Sequence, residues 1–352
     1  MHEALLYKQL EKKKVRCTAC KQHCLILPGQ TGICGVRQNK EGKLYLLVYG
    51  KASAVNTDPI EKKPLFHFLP GSKIFSLGTV GCNFSCSFCQ NWDLSQSTKE
   101  LKKRLAAEGK HKGMDVALGE LGYELPPEKI VEICGQQRIP SIAYTYNEPA
   151  IFFEYLYDTA KLSHAQGIKN VLVSNGYESD IALEKLRPYI AAMNIDLKSF
   201  SETFYTKLCK AKLKPIVETI KKAHEFGIWI EITTLIIPGQ NDSDKELGQI
   251  AQFIASIDTN IPWHVTAFHP DYKMLQVPTT TYASLMHAHG IGKKAGLKFV
   301  YVGNILDEEY STTYCPNCQT PLVRRNGFHI TVKDFSSGAC TKCGEKIPGI
   351  WE

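Results

Sequence analysis

Gly81-Cys82-Asn83-Phe84-Ser85-Cys86-Ser87-Phe88-Cys89-Gln90 is the stretch on which the fold turns. Its three cysteines, at C-x3-C-x2-C, place three thiolates in one short loop. Three thiolates suit one [4Fe–4S] cluster and leave one iron without a protein ligand. That open iron can bind a small molecule and pass it an electron. A zinc site or part of a ferredoxin are the other readings of the spacing. Tetrahedral zinc wants a fourth ligand, and a bacterial ferredoxin carries a Cys-Pro run with regular short spacing. Neither follows the loop.

Outward from this loop, strands and helices alternate over residues 73–305. The apolar run 74–77 leads into the cysteines. Run 141–146 ends at Asn147-Glu148-Pro149, run 170–173 at Ser174-Asn175-Gly176, and run 193–195 at Asp196-Leu197-Lys198. Runs 228–232, 263–265 and 298–302 continue to Pro238-Gly239, Phe268-His269-Pro270 and Gly303-Asn304. Helical periodicity fills 151–166, 216–226 and 245–257. The alternation predicts a parallel β/α architecture. Polar residues gather just past the C-terminal ends of the strands, where β/α barrels build active sites. Asp196 and Lys198 lie two apart on a strand and so share a face.

These pieces together resemble radical S-adenosylmethionine (SAM) enzymes. Thr79-Val80-Gly81-Cys82, Cys89-Gln90-Asn91-Trp92, Tyr146-Asn147-Glu148-Pro149, Ser174-Asn175-Gly176-Tyr177, Asp196-Leu197-Lys198 and Phe268-His269-Pro270 look like the pyruvate formate-lyase activating enzyme group. They are most similar to the branch named the AmmeMemoRadiSam system radical SAM enzyme. The resemblance covers most of residues 15–305. It implies an α/β fold with a partial, six-stranded (β/α)6 barrel. It implies that the open iron chelates the amino and carboxylate groups of SAM. Reduction then cleaves the sulfonium to a 5′-deoxyadenosyl radical, which abstracts hydrogen.

The resemblance also carries roles onto this chain. Asn147-Glu148-Pro149 sits where the family keeps Gly-Gly-Glu-Pro, with Tyr146 and Asn147 replacing both glycines. A backbone carbonyl there receives the methionine ammonium, and Glu148 braces the loop. Asp196 binds the ammonium and Lys198 the carboxylate. Ser174 and Asn175 bond the amino-acid part or the ribose, and His269 approaches the adenosyl group. His264 faces the same cavity or is a satisfied barrel histidine. Ala267 stands where the branch carries an arginine, so the family's substrate is not transferred.

Eleven of the thirteen cysteines fall in three clusters. Besides Cys82, Cys86 and Cys89, residues Cys315, Cys318, Cys340 and Cys343 form two C-x2-C pairs. That is a strong zinc-ribbon pattern. Cys17, Cys20, Cys24 and Cys34, interleaved with glycines, suit a metal knuckle holding zinc or a second iron–sulfur cluster, with an unmetallated loop as the plain alternative. The expected layout is a Cys-rich region at 1–72, the radical SAM region at 73–305 and the ribbon at 306–352. The basic stretch 98–113 reads as a solvated surface helix, or as a contact for an acidic partner or nucleic acid.

The N-terminal residues are too polar for a signal peptide, and no apolar run approaches the roughly 18 residues of a bilayer span. A cytoplasmic protein is expected, and there many cysteines argue for metal rather than disulfides. The formal charge is +7. Thiolates deprotonated by two zinc sites and one cluster bring it to about +2. Nucleic acid is therefore not an expected partner, although an RNA-binding or RNA-modifying zinc/iron–sulfur protein is the alternative function. The expected partners are a reductant such as flavodoxin or ferredoxin and a protein or peptide substrate. The glycyl-radical activating enzymes are the pattern for that substrate.

Overall fold

The structure is a computed structural model and describes residues 2–108, 113–119 and 121–352. The chain divides into two compact units, Met1–Thr57 with Ile74–Ala191, and Asp58–Lys73 with Ala192–Glu352. Both are mixed α/β.

The first unit contains strands β1 (Lys73–Gly78), β2 (Ser141–Tyr144) and β3 (Lys169–Ser174) and helices α1 (Ser97–Ala107), α2 (Pro127–Gln137), α3 (Phe153–Ala165) and α4 (Asp180–Leu186). Strand β2 is parallel to β1 on one side and β3 on the other, in register Ser141–Ile74 and Ser141–Lys169. Every residue of β2 is buried. A strand covered on both faces should read as an unbroken apolar run, as Ile142, Ala143 and Tyr144 do. Helix α3 begins two residues later than the periodicity of 151–166 predicts, because Pro149–Phe152 winds as a 3₁₀ turn first. Ser179 caps α4 by accepting the Ala182 N–H at 3.1 Å.

The second unit contains β4 (Ile190–Asp196), α5 (Leu213–Glu225), β5 (Trp229–Ile236), α6 (Asp244–Ile257), β6 (Trp263–Ala267), α7 (Tyr282–Lys294) and β7 (Val300–Gly303). The order is β4-β5-β6-β7 with every pairing parallel. All seven strands read from the sequence therefore exist, within a residue or two at most ends. Ser243 and Thr281 cap α6 and α7, as small hydroxyl residues before apolar periodicity should.

Glu231 organises the core of this unit. Its buried carboxylate accepts the Phe66 and His67 N–H groups at 2.9 and 2.8 Å, the Trp229 indole at 3.1 Å and His264 Nε2 at 2.6 Å. Burial raises its pKa, but the His264 bond and charge outweigh that and the net shift is downward. His264 is thus the satisfied barrel histidine of the two readings.

His67 is buried beside it. Its Nδ1 lies 2.8 Å from the Pro348 carbonyl, which can only accept, so Nδ1 carries the proton. Nε2 then accepts the Tyr301 hydroxyl at 2.7 Å. Burial lowers the His67 pKa from 6.5 to about 4. Between those values the unfolded chain binds a proton that the folded unit does not. The stabilisation is complete above pH 6.5 and is lost as pH falls toward 4. It amounts to about 3 kcal/mol. Chemical unfolding of the native chain at pH 4.5 and pH 7 should show most of that difference, and His67→Asn should flatten it. Equal pH slopes in the two proteins would overturn the assignment.

Candidate active site

The cysteine loop leaves the C-terminal end of β1. Its path needs two glycines. A Cβ on Gly78 would meet the Thr145 carbonyl at 2.6 Å, and one on Gly81, at φ +91°, would meet the Cys34 carbonyl at 2.5 Å. Cys82 and Cys86 are buried and Cys89 is half-buried. The Phe84 N–H points at Cys82 Sγ at 3.4 Å, and Ser95 Oγ lies 3.1 Å from Cys89 Sγ. Burial pushes the Cys82 thiol up, opposed first by the Lys99 ammonium. A cation held beside buried sulfur favours thiolate, the form that ligates metal.

Lys99 belongs to the basic stretch expected at the surface. Helix α1 instead buries Thr98, Leu101 and Leu105. It turns Lys99 under the loop, where Nζ donates to the Phe84 carbonyl and, at 2.8 Å each, to Ser85 Oγ and Gln96 Oε1. Part of that stretch, residues 109–112, lies outside the described residues.

Asn147 spends its side chain on the loop. Its Oδ1 accepts the Thr79 N–H at 3.2 Å, and its Nδ2 donates to Thr79 Oγ1 at 3.0 Å and the Gly81 carbonyl at 2.9 Å. Tyr146 adopts φ +69°, a left-handed conformation that glycine takes more readily. Asn91 Nδ2 donates to the Tyr146 carbonyl at 2.8 Å. Two anchors thus hold the backbone shape where the related motif has glycines.

Glu148 is fully buried and clasps the ends of β2 and β3. It accepts the Ala150 N–H at 3.0 Å, Ser174 Oγ at 3.0 Å and the Asn175 N–H at 2.8 Å. Burial, then the nearby Glu178 carboxyl, pushes its pKa upward against these donors. Asn175 Nδ2 donates to Asn83 Oδ1 at 2.8 Å beside Cys82. Asn175 Oδ1 and Asn83 Nδ2 are buried with no hydrogen-bond partner among the described residues. Buried polar atoms are rarely left so. One acceptor and one donor beside the Cys82 thiol are a capacity that a polar, zwitterionic ligand could use. The first unit therefore brings Cys82, Cys86, Cys89, Asn147, Glu148, Ser174 and Asn175 together.

In the second unit, Lys198 Nζ bonds Asp196 Oδ2 at 2.6 Å. Strand β4 ends at Asp196, so Lys198 is not on the strand as the sequence suggested; the two meet through this ion pair instead. Tyr205 and Asn241 fix the Lys198 backbone, the hydroxyl accepting its N–H at 2.9 Å and the amide donating to its carbonyl at 2.7 Å. His269 is exposed just past β6.

A profile of the radical SAM superfamily matches residues 76–254, half of the chain. The chain belongs to the radical SAM superfamily. It is accordingly an enzyme. It is 41% identical over 351 residues, 99% of both chains, to an uncharacterised protein of Methanocaldococcus jannaschii. A second protein of that organism, whose name assigns it to the glycyl-radical enzyme activating enzymes, is 28% identical over 55% of this chain and 66% of its own. The pyruvate formate-lyase-activating enzyme of Staphylococcus epidermidis is 22% identical over 59% of this chain and 81% of its own.

The C-terminal cysteines form a compact set. The sulfurs of Cys315, Cys318, Cys340 and Cys343 all lie within 4.8 Å of one another, with Cys315–Cys343 at 3.5 Å and Cys318–Cys340 at 3.7 Å. Zn–S bonds of about 2.3 Å in a tetrahedron set sulfurs about 3.8 Å apart, so the donor set fits zinc. Among the described residues, no helix is long and apolar enough to cross a membrane.

Sequence reasoning assigned no role to Lys99, Asn83, Asn91 or Glu178. Lys99 is hidden inside a charge run. Asn83 stands beside Cys82 in the loop, and only its position against Asn175 gives it a role.

Proposed function

We propose that this enzyme cleaves SAM reductively at a [4Fe–4S] cluster held by Cys82, Cys86 and Cys89, and abstracts hydrogen from a protein or peptide. The observation that carries this is the loop itself: three buried or half-buried thiols, not four, with the Lys99 ammonium beneath the loop and a buried amide donor and acceptor without partners beside Cys82. When bound, the cluster offers one iron to SAM and the electron that breaks the sulfonium. The chain's own residues orient and shield. Asn147 and Asn91 set the loop after β2 so that backbone carbonyls face the cofactor ammonium. Ser174 and Asn175 offer hydrogen bonds to its amino-acid part or ribose, and Glu148 keeps both strand ends in place. Asp196 and Lys198 offer the opposite charges a zwitterion requires, and His269 a ring for the adenosyl group. Within the first unit, Asn83 Nδ2 and Asn175 Oδ1 add a donor and an acceptor.

The likeness to activating enzymes supports a macromolecular substrate and a low-potential reductant such as flavodoxin or ferredoxin. Cys315, Cys318, Cys340 and Cys343 hold structural zinc in this reading, and the enzyme works in the cytoplasm. In this reading β1 to β6, each followed by a helix, are the six repeats of a partial (β/α)6 barrel, and β7 is an added strand. Anaerobic reconstitution with iron and sulfide, then dithionite and SAM, tests the reaction class. Formation of 5′-deoxyadenosine and methionine is expected. Intact SAM in a protein that carries its cluster would reject the reading.

A further inference from the structure

The knuckle of Cys17, Cys20, Cys24 and Cys34 differs from the ribbon in one decisive way. No three of its sulfurs come within 4.8 Å of one another, whereas the four ribbon sulfurs all do. Zinc bonded to four thiolates holds all of them about 3.8 Å apart. In a cubane each thiolate ligates a different iron corner, so the four sulfurs stand on a larger tetrahedron. The loop of Cys82, Cys86 and Cys89 is open in the same sense.

The knuckle is nevertheless built as a site. Its four cysteines line one small cavity together with Arg37 and Asn83. Cys17, Cys20 and Cys34 are buried, and none of the four is in a disulfide. The backbone is fixed from several sides: Cys17 N donates to the Cys24 carbonyl at 3.0 Å, Gly32 N to the Arg37 carbonyl at 2.9 Å, and Lys21 N to the Tyr177 carbonyl at 2.9 Å. Arg37 is 2% exposed and pairs through Nη2 with the fully buried Glu154. Its Nε and Nη1 are buried with no hydrogen-bond partner among the described residues. A guanidinium so placed costs free energy unless something accepts its protons. Thiolate or sulfide sulfur across the cavity is such an acceptor.

We infer that Cys17, Cys20, Cys24 and Cys34 hold a second [4Fe–4S] cluster, fully thiolate-ligated, with Arg37 donating to its sulfur atoms. With no open iron, this cluster stores single electrons and does not take SAM. Its placement suits that role: Gln22 Nε2 donates to the Asn83 carbonyl at 3.0 Å, next to Cys82.

Metal and sulfide analysis with Mössbauer spectroscopy tests the inference on native chain purified without oxygen. About eight irons, eight sulfides and one zinc per chain are expected. In a Cys82→Ala/Cys86→Ala/Cys89→Ala variant, about four irons should remain, as one diamagnetic cubane. Four irons in both proteins would support the knuckle cluster while removing the one in the loop, so the two readings fail separately. Four irons with two zincs in the native chain, and none in the variant, would overturn it. Should the triple variant not fold, the native iron-to-zinc ratio decides alone.

Discussion

Cys86→Ala is expected to abolish formation of 5′-deoxyadenosine in the reconstituted enzyme. Cys86 is buried in a loop held in place by Gly81, Asn147 and Lys99. Its removal takes away one small group and should leave the unit folded. The remaining Cys82 and Cys89 cannot hold a cluster that needs three thiolates to expose one iron. Losing an outer partner of a metal ligand typically costs about 10–100-fold. Loss of the ligand itself should exceed this and reach assay background. Chromatography for 5′-deoxyadenosine, with a circular-dichroism melt as the folding control, checks the result. Turnover near the native rate would remove Cys86 from the ligand set.

The second large effect is on stability. Glu148→Ala leaves the Ala150 and Asn175 N–H groups and the Ser174 hydroxyl without their acceptor, all in buried surroundings. An unsatisfied buried donor costs about 1–3 kcal/mol. The two backbone donors alone should lower the stability of the first unit by about 4 kcal/mol. Glu148→Gln keeps one acceptor and turns an amide against the remaining donors, so its loss should be smaller. Denaturant midpoints of the two variants measure this. A loss under about 1 kcal/mol for the alanine variant would show that water replaces the carboxylate and that the clasp is not structural.

The architecture was legible because the strands of this fold announce themselves twice, as buried apolar runs and as polar residues where each run stops. Ser141 to Tyr144 followed by Asn147 and Glu148 is such a case. The loop cysteines were legible because their chemistry is local in sequence. Arg37 and Glu154 were not, since 117 positions separate two charges that meet only after folding. Lys99 failed for the opposite reason. It stands among lysines that do face water, and only the apolar spacing of Thr98, Leu101 and Leu105 shows which side of α1 turns inward. The Asn147 amide is engaged three times by the cysteine loop, so the ammonium contact proposed there is left to a backbone carbonyl, as the resemblance implies.

The contact at Gly81 has a design consequence. Its bare α-carbon rests against the Cys34 peptide, and a single added methyl would strike that oxygen at 2.5 Å. The two sulfur-bearing loops are therefore separated by a party wall with no insulation. Anyone transplanting residues 81–90 into a foreign scaffold would have to move residues 17–37 as well, because the tenth of an ångström that one tenant concedes is taken from its neighbour.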